Sequence, residues 1–146
     1  MKITYKGDYA LKTILDLAVH YGNGPVTIHD IAERSDAPVK FLEQILLDLK
    51  KGGFVESRRG KVGGYVLAKH PADIRLGDVM RFMDGPTEPI ACTDKKYTGC
   101  NDLYKCVFRG VWKEVSWAIS NIIDNITFED LVNKINKQGK NSLYYI

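Results

Sequence analysis

Thr27-Ile28-His29-Asp30-Ile31-Ala32-Glu33-Arg34-Ser35, then Asp36-Ala37-Pro38, then Val39-Lys40-Phe41-Leu42-Glu43-Gln44-Ile45-Leu46-Leu47-Asp48-Leu49 is the stretch on which the fold turns. Thr27 with Asp30 three residues on is a capping-box pattern ahead of Ile28, Ile31 and Ala32, and it predicts a short helix that ends by Ser35. Asp36-Ala37-Pro38 makes a tight connection, with Pro38 suited to the first position of the next helix. That helix turns Val39, Leu42, Ile45, Leu46 and Leu49 inward and leaves Lys40, Glu43, Gln44, Asp48 and Lys51 outside.

Working outward toward the C-terminus, Gly52-Gly53 closes the helix and the chain alternates as Phe54-Val55-Glu56-Ser57. It breaks at Arg58-Arg59-Gly60-Lys61-Val62-Gly63-Gly64 and resumes as Tyr65-Val66-Leu67-Ala68. This predicts a hairpin with a basic, glycine-rich tip. Two helices joined by a tight turn and followed by a basic hairpin give the element order of a winged helix-turn-helix. A helix about 10–12 Å across fits a major groove about 12 Å wide, where Gln addresses adenine and Lys or Arg addresses guanine. Lys40, Glu43 and Gln44 are therefore the candidate base readers. Arg58, Arg59 and Lys61 are the candidate wing contacts, placed to meet phosphates or a narrow minor groove.

Working toward the N-terminus, Leu11, Ile14, Leu15, Ala18 and Val19 recur at helical steps, and Gly22-Asn23-Gly24-Pro25 stops them, so a first helix is expected from Asp8 to Tyr21. The chain has 146 residues, 45% hydrophobic and 27% charged, the composition of one ordinary globular domain. A signal core and a membrane-length apolar run are absent, and three cysteines cannot pair off completely, so a reducing cytoplasm is expected. The net charge is +3. Residues 1–70 hold 11 Lys and Arg against 8 Asp and Glu, whereas residues 71–146 hold 10 against 10. The excess falls on the segment that the helix order assigns to a polyanion.

The second half begins with a helix expected over Ile74 to Asp84, with Val79, Phe82 and Met83 on one face. A polar segment from Thr87 to Tyr104 follows, without a clear period. Cys92, Cys100 and Cys106 lie in or beside it in the pattern C-x7-C-x5-C. That spacing admits three thiolates around an iron-sulfur cluster, redox-active thiols, or inert ones, and it lacks the C-x2-C pairs usual for zinc. His20, His29 and His70 stand in no motif that marks a general base, so an enzyme is not expected. From Leu103 to Ile126 a long apolar helical repeat follows, wide enough to serve its own domain and a second copy, which predicts a homodimer on a palindromic site. Thr127 with Asp130 caps a final helix through Ile135, and the polar tail after Lys137 is expected to be loose. The expected fold is mainly α with a small β-hairpin wing. It divides into a winged helix-turn-helix region (1–84), a cysteine-bearing loop (85–106), and a dimerisation helix with a C-terminal helix (107–146).

Four stretches then carry a resemblance: Met1 to Leu11, Phe41-Leu42-Glu43-Gln44-Ile45-Leu46, the wing from Arg59 to Leu67, and Asn125 to Leu131. Together they resemble the Rrf2 family of bacterial winged-helix regulators, over nearly the whole chain, and within it the iron-sulfur branch typified by IscR and NsrR. The resemblance implies a dimeric transcription factor in which Cys92, Cys100 and Cys106 hold a 2Fe-2S or 4Fe-4S cluster. The IscR-type fourth ligand, a His three residues after the last cysteine, is replaced by Arg109, which stays protonated and cannot ligate. The NsrR-type ligand, an Asp supplied by the partner subunit, has its match in Asp8, which also reads as an ordinary helix-start residue. Alternatives left open are a cluster-free regulator of the same fold, governed by a protein partner or thiol oxidation, and a zinc-binding protein.

Overall fold

A computed structural model describes residues 1–141. The order is α1 (Tyr5–Val19), α2 (Ile28–Ser35), α3 (Val39–Lys51), β1 (Val55–Arg58), β2 (Gly64–Leu67), α4 (Leu76–Asp84), α5 (Val107–Ile123) and α6 (Phe128–Asn141), with 3-10 turns at Pro71–Asp73 and Ala91–Thr93. The expected mainly helical fold with a hairpin wing is the fold observed.

Helix α1 begins at a Thr4 cap, ahead of the expected Asp8, because the Thr4 side chain accepts from the Gly7 N–H. Thr4 also donates from its backbone and hydroxyl to Asp84, at 3.0 and 2.5 Å, which ties the start of α1 to the end of α4. Gly7 permits this contact, since a methyl group there would collide with the Asp84 carboxylate. The buried stripe of α1 is Ala10, Thr13, Ile14, Leu17 and Ala18, whereas Leu11 and Leu15 are half-buried and Val19 is exposed. The buried face is therefore rotated from the expected one, and α2, α3, α4 and α6 all pack around this helix.

Thr27 caps α2 as expected, accepting from the Asp30 N–H at 3.2 Å. Asp36 ends it in the left-handed region, at φ 49° and ψ 49°, a conformation short polar residues tolerate. Pro38 is the N-cap of α3 and not its first helical residue, because its ψ of 134° is still extended. Leu42, Ile45, Leu46 and Leu49 are fully buried, and Val39 is half-buried.

The wing strands pair antiparallel from Val55↔Leu67 to Arg58↔Gly64. Val26 adds a rung through two bonds with Tyr65, of 2.9 and 2.8 Å. Gly64 makes room for it, as a methyl group there would strike the Val26 carbonyl.

In α4, Val79 is buried and Met83 packs against the core as expected, with Met80 buried beside them, while Phe82 is 44% exposed and lies off that face. Helix α5 has 17 residues, shorter than expected at both ends. It stops where Arg81 of α4 grips Asp124 in a two-pronged ion pair of 2.6 and 3.0 Å and reaches Ser120 at 3.3 Å. The Asp124 carboxylate holds the Arg81 guanidinium above its usual range. Ile126–Phe128 then run along Ile74–Leu76, with Leu76 N–H donating to the Ile126 carbonyl at 2.9 Å and Phe128 N–H to the Ile74 carbonyl at 3.0 Å. The chain is thereby returned to the first-half core, where Phe128 is fully buried and Leu131 and Val132 of α6 pack. Thr127 and Asp130 form a reciprocal capping box, with bonds of 2.8 and 3.1 Å, and α6 continues past Lys137 to Asn141. The remainder of the expected loose tail lies outside the described residues.

Candidate nucleic-acid interface and cysteine loop

Lys40, Glu43 and Gln44 stand exposed on α3, opposite its buried leucines and isoleucine, as the period predicts. Lys50 at the end of α3 donates to Ser57 Oγ at 2.8 Å, so α3 and the wing are tied together. At the hairpin tip Arg59 and Lys61 are exposed. Arg58 is exposed too, and pairs with Glu56 at 3.3 Å, which spends part of its charge within the wing. Gly60, at φ 124°, and the Gly63 N–H to Gly60 carbonyl bond of 3.1 Å close the tip. Val62 is 80% exposed there. Sequence reasoning passed over this apolar side chain, although apolar wedges at such tips can enter a minor groove. Exposed polar side chains on α3 and exposed basic side chains on the wing thus lie on two elements joined by the Lys50–Ser57 bond.

Asp48, placed outside by the period of α3, forms an ion pair with Lys6 of α1 that the sequence pattern does not show. No local pattern connects residues so far apart in the chain.

The cysteine loop lies between α4 and α5. Cys92 is half-buried in the Ala91–Thr93 turn, while Cys100 and Cys106 are exposed, and all three are free thiols. Cys106 is the N-cap residue of α5. Arg109, one turn into α5, donates to the Cys92 carbonyl at 3.0 Å and to the Leu103 carbonyl at 3.2 Å. The residue that cannot be a ligand is therefore a clamp holding both arms of the loop against the helix. Asp8 sits in the first turn of α1, its carboxylate 2.7 Å from Lys12. That contact, through its hydrogen bond, raises the Lys12 pKa.

Three unpaired thiols within one loop fit an iron-sulfur cluster in donor chemistry. Among the described residues, no three Cys, His, Asp or Glu side chains converge on a common point within one chain. A cluster would require the loop to draw its sulfurs together and to take a further ligand from elsewhere. Among the described residues, no helix is long and apolar enough to cross a membrane.

The exposed face of α5 is broadly apolar. Val107, Phe108, Val111, Trp112, Val115, Trp117 and Ile122 are each at least 37% exposed. Contiguous apolar surface of this kind marks an interaction site.

Residues 3–134 match the model of the Rrf2 family, described as iron-dependent transcriptional regulators. An rrf2-like HTH-type transcriptional regulator of Rhodobacter capsulatus is 41% identical over 145 residues, covering 94% of this chain and 97% of that one. Among solved structures, CymR, the global cysteine regulator of B. subtilis, superposes with a TM-score of 0.79 at 32% identity, over 92% of this chain and 98% of that one. IscR of T. potens does so with a TM-score of 0.74 at 36% identity, over 92% and 88%. These relatives are transcriptional regulators and not enzymes. With matched sequence over nearly its full length and the same winged-helix body, the chain belongs to the Rrf2 family of transcriptional regulators.

Proposed function

We propose that the chain acts as a homodimer on a palindromic promoter site in the cytoplasm, repressing transcription there, and that the state of its cysteine loop sets its affinity for DNA. Residues 1–84 read the duplex, 85–106 carry the sensing group, and within 107–146 helix α5 pairs the copies while α6 packs back on the first-half core. One observation carries this reading: Cys106 caps α5, so the sensing loop is continuous with the exposed apolar helix and both adjoin the DNA-binding body. In the proposed assembly Cys92, Cys100 and Cys106 hold a 2Fe-2S or 4Fe-4S cluster, with Asp8 of the second copy as fourth ligand. When bound, the cluster supplies a redox- and nitric-oxide-sensitive centre whose carboxylate-ligated iron is its most labile part. The chain's own part is to fasten the loop through Arg109 and to pass its position to α4 through Arg81 and Asp124.

Anaerobic purification with ultraviolet-visible spectroscopy and iron and sulfide analysis tests this. A brown protein with stoichiometric iron is expected, and Cys92→Ala, Cys100→Ala or Cys106→Ala should each bleach it and shift its DNA affinity. A variant that keeps both colour and affinity removes that cysteine from the ligand set. A second reading is favoured by the exposure and separation of the thiols: a cluster-free regulator governed by a protein partner or by thiol oxidation. Its signature is a colourless anaerobic protein whose DNA binding responds to peroxide or to that partner.

On the wing, Arg59→Ala is expected to weaken binding several-fold and to lower the salt slope by about 1 if Arg59 meets a phosphate. If Arg59 enters a groove, the slope holds and sequence preference relaxes. Titrations at several salt concentrations separate the two, and no change in either removes Arg59 from the interface.

A further inference from the structure

The exposed face of α3 is not a row of independent side chains. Gln44 donates from Nε2 to Asp48 Oδ1 at 3.2 Å, one turn further along the helix. Asp48 Oδ2 is in turn paired with the Lys6 ammonium, which reaches across from the first turn of α1. The hydrogen bond from Lys6, and after it that from Gln44, holds the Asp48 carboxyl below the usual carboxylate range, so the group is ionised at neutral pH. One turn along α1, Tyr9 meets Phe41 of α3 edge to face, with ring centroids 5.4 Å apart, and this contact fixes the two helices where Lys6 crosses.

A glutamine reads adenine with both ends of its amide, the oxygen accepting from one base atom while the nitrogen donates to another. In solvent the amide takes either orientation, and only one matches the base. An ionised carboxylate on the helix side accepts only from the nitrogen end, which leaves the amide oxygen and the second N–H for a base edge. We propose that Lys6 and Asp48 are positioning residues that set the base preference of Gln44. The inference rests on the reading of α3 as the helix that contacts DNA.

The signs of the two effects differ, which makes the role separable from simple support of the fold. Asp48 is a negative charge near the DNA-facing side, so removing it leaves general DNA affinity equal or stronger. Removing it also frees the Gln44 amide and lowers discrimination.

The test uses the full-length dimer, selection from random duplexes with sequencing, and competition titrations at fixed salt. Gln44→Ala is expected to lower preference at one base pair per half-site by about tenfold. Asp48→Ala should lower preference at that same base pair by about threefold or more, without weakening binding to random duplex. Lys6→Met should act in the same direction, Asp48→Asn, whose amide can meet either end of the Gln44 amide, should also relax the preference, and Asp48→Ala should add nothing in the Gln44→Ala background. The inference is overturned if Asp48→Ala spares that base pair, erodes every position alike, or adds fully to Gln44→Ala. If Gln44→Ala itself leaves the preference flat while binding persists, the reading of α3 fails first and takes the inference with it.

Discussion

Phe128→Ala is expected to cost about 3–5 kcal/mol of folding stability, measured as a shift in the denaturant midpoint. Phe128 is fully buried, although it opens the helix α6, which follows both the cysteine loop and α5 in the chain. Its ring fills the core shared by α1 and the Ile74 segment, and its backbone N–H is committed to the Ile74 carbonyl. Truncation leaves a cavity that rigid neighbours cannot close, and native domains hold only about 5–15 kcal/mol in reserve. The DNA-binding body should therefore unfold together with α6 in one transition. A loss below about 1 kcal/mol would show that α6 is not part of that core.

The second large effect concerns the pairing of copies. Val111 and Val115 lie one turn apart on α5 and are 52% and 37% exposed. The double variant Val111→Glu/Val115→Glu leaves the isolated chain folded, since both side chains already meet water. If two copies bury this face against each other, the added carboxylates have no partner and the interface is lost. Light scattering should then report a monomer. Operator affinity should fall about 10²–10⁴-fold, because the second half-site is no longer engaged intramolecularly. A variant that remains dimeric with unchanged affinity would move the pairing surface off α5.

Local signals carried most of the DNA-binding half. The Thr27 cap, the Asp36-Ala37-Pro38 turn and the glycine-flanked hairpin are short-range chemistry, and they place α2, α3 and the wing within a residue or so. Long-range contacts were not legible. Thr4 caps α1 while also bonded to Asp84, eighty positions away, and nothing in the period of α1 announces this. The period of α1 points to Leu11, Leu15 and Val19 where the core takes Ala10, Thr13 and Leu17, because a single helix's period does not show that four other helices pack around it. The apolar repeat of α5 runs on past the helix, whose C-terminal end is set by Arg81 and by the Ile74 segment and not by a local breaker. For the candidate site, residue types were readable and their partners were not. The pattern named the cysteines, but not Arg109 as the loop's clamp, and it placed Gln44 outward without showing that Asp48 and Lys6 hold it.

The uneven attachment of α5 has a mechanical consequence. Its C-terminal end is seized by Arg81, by buried Ile123 and by the paired segment beyond, while its N-terminal end is fastened to the cysteine loop through Arg109. Its 17 residues span about 25 Å, so a tilt of about 5° about the seized end swings the far end by about 2 Å. The helix is a lever whose fulcrum sits against α4, and a push at Cys106 works through its whole arm.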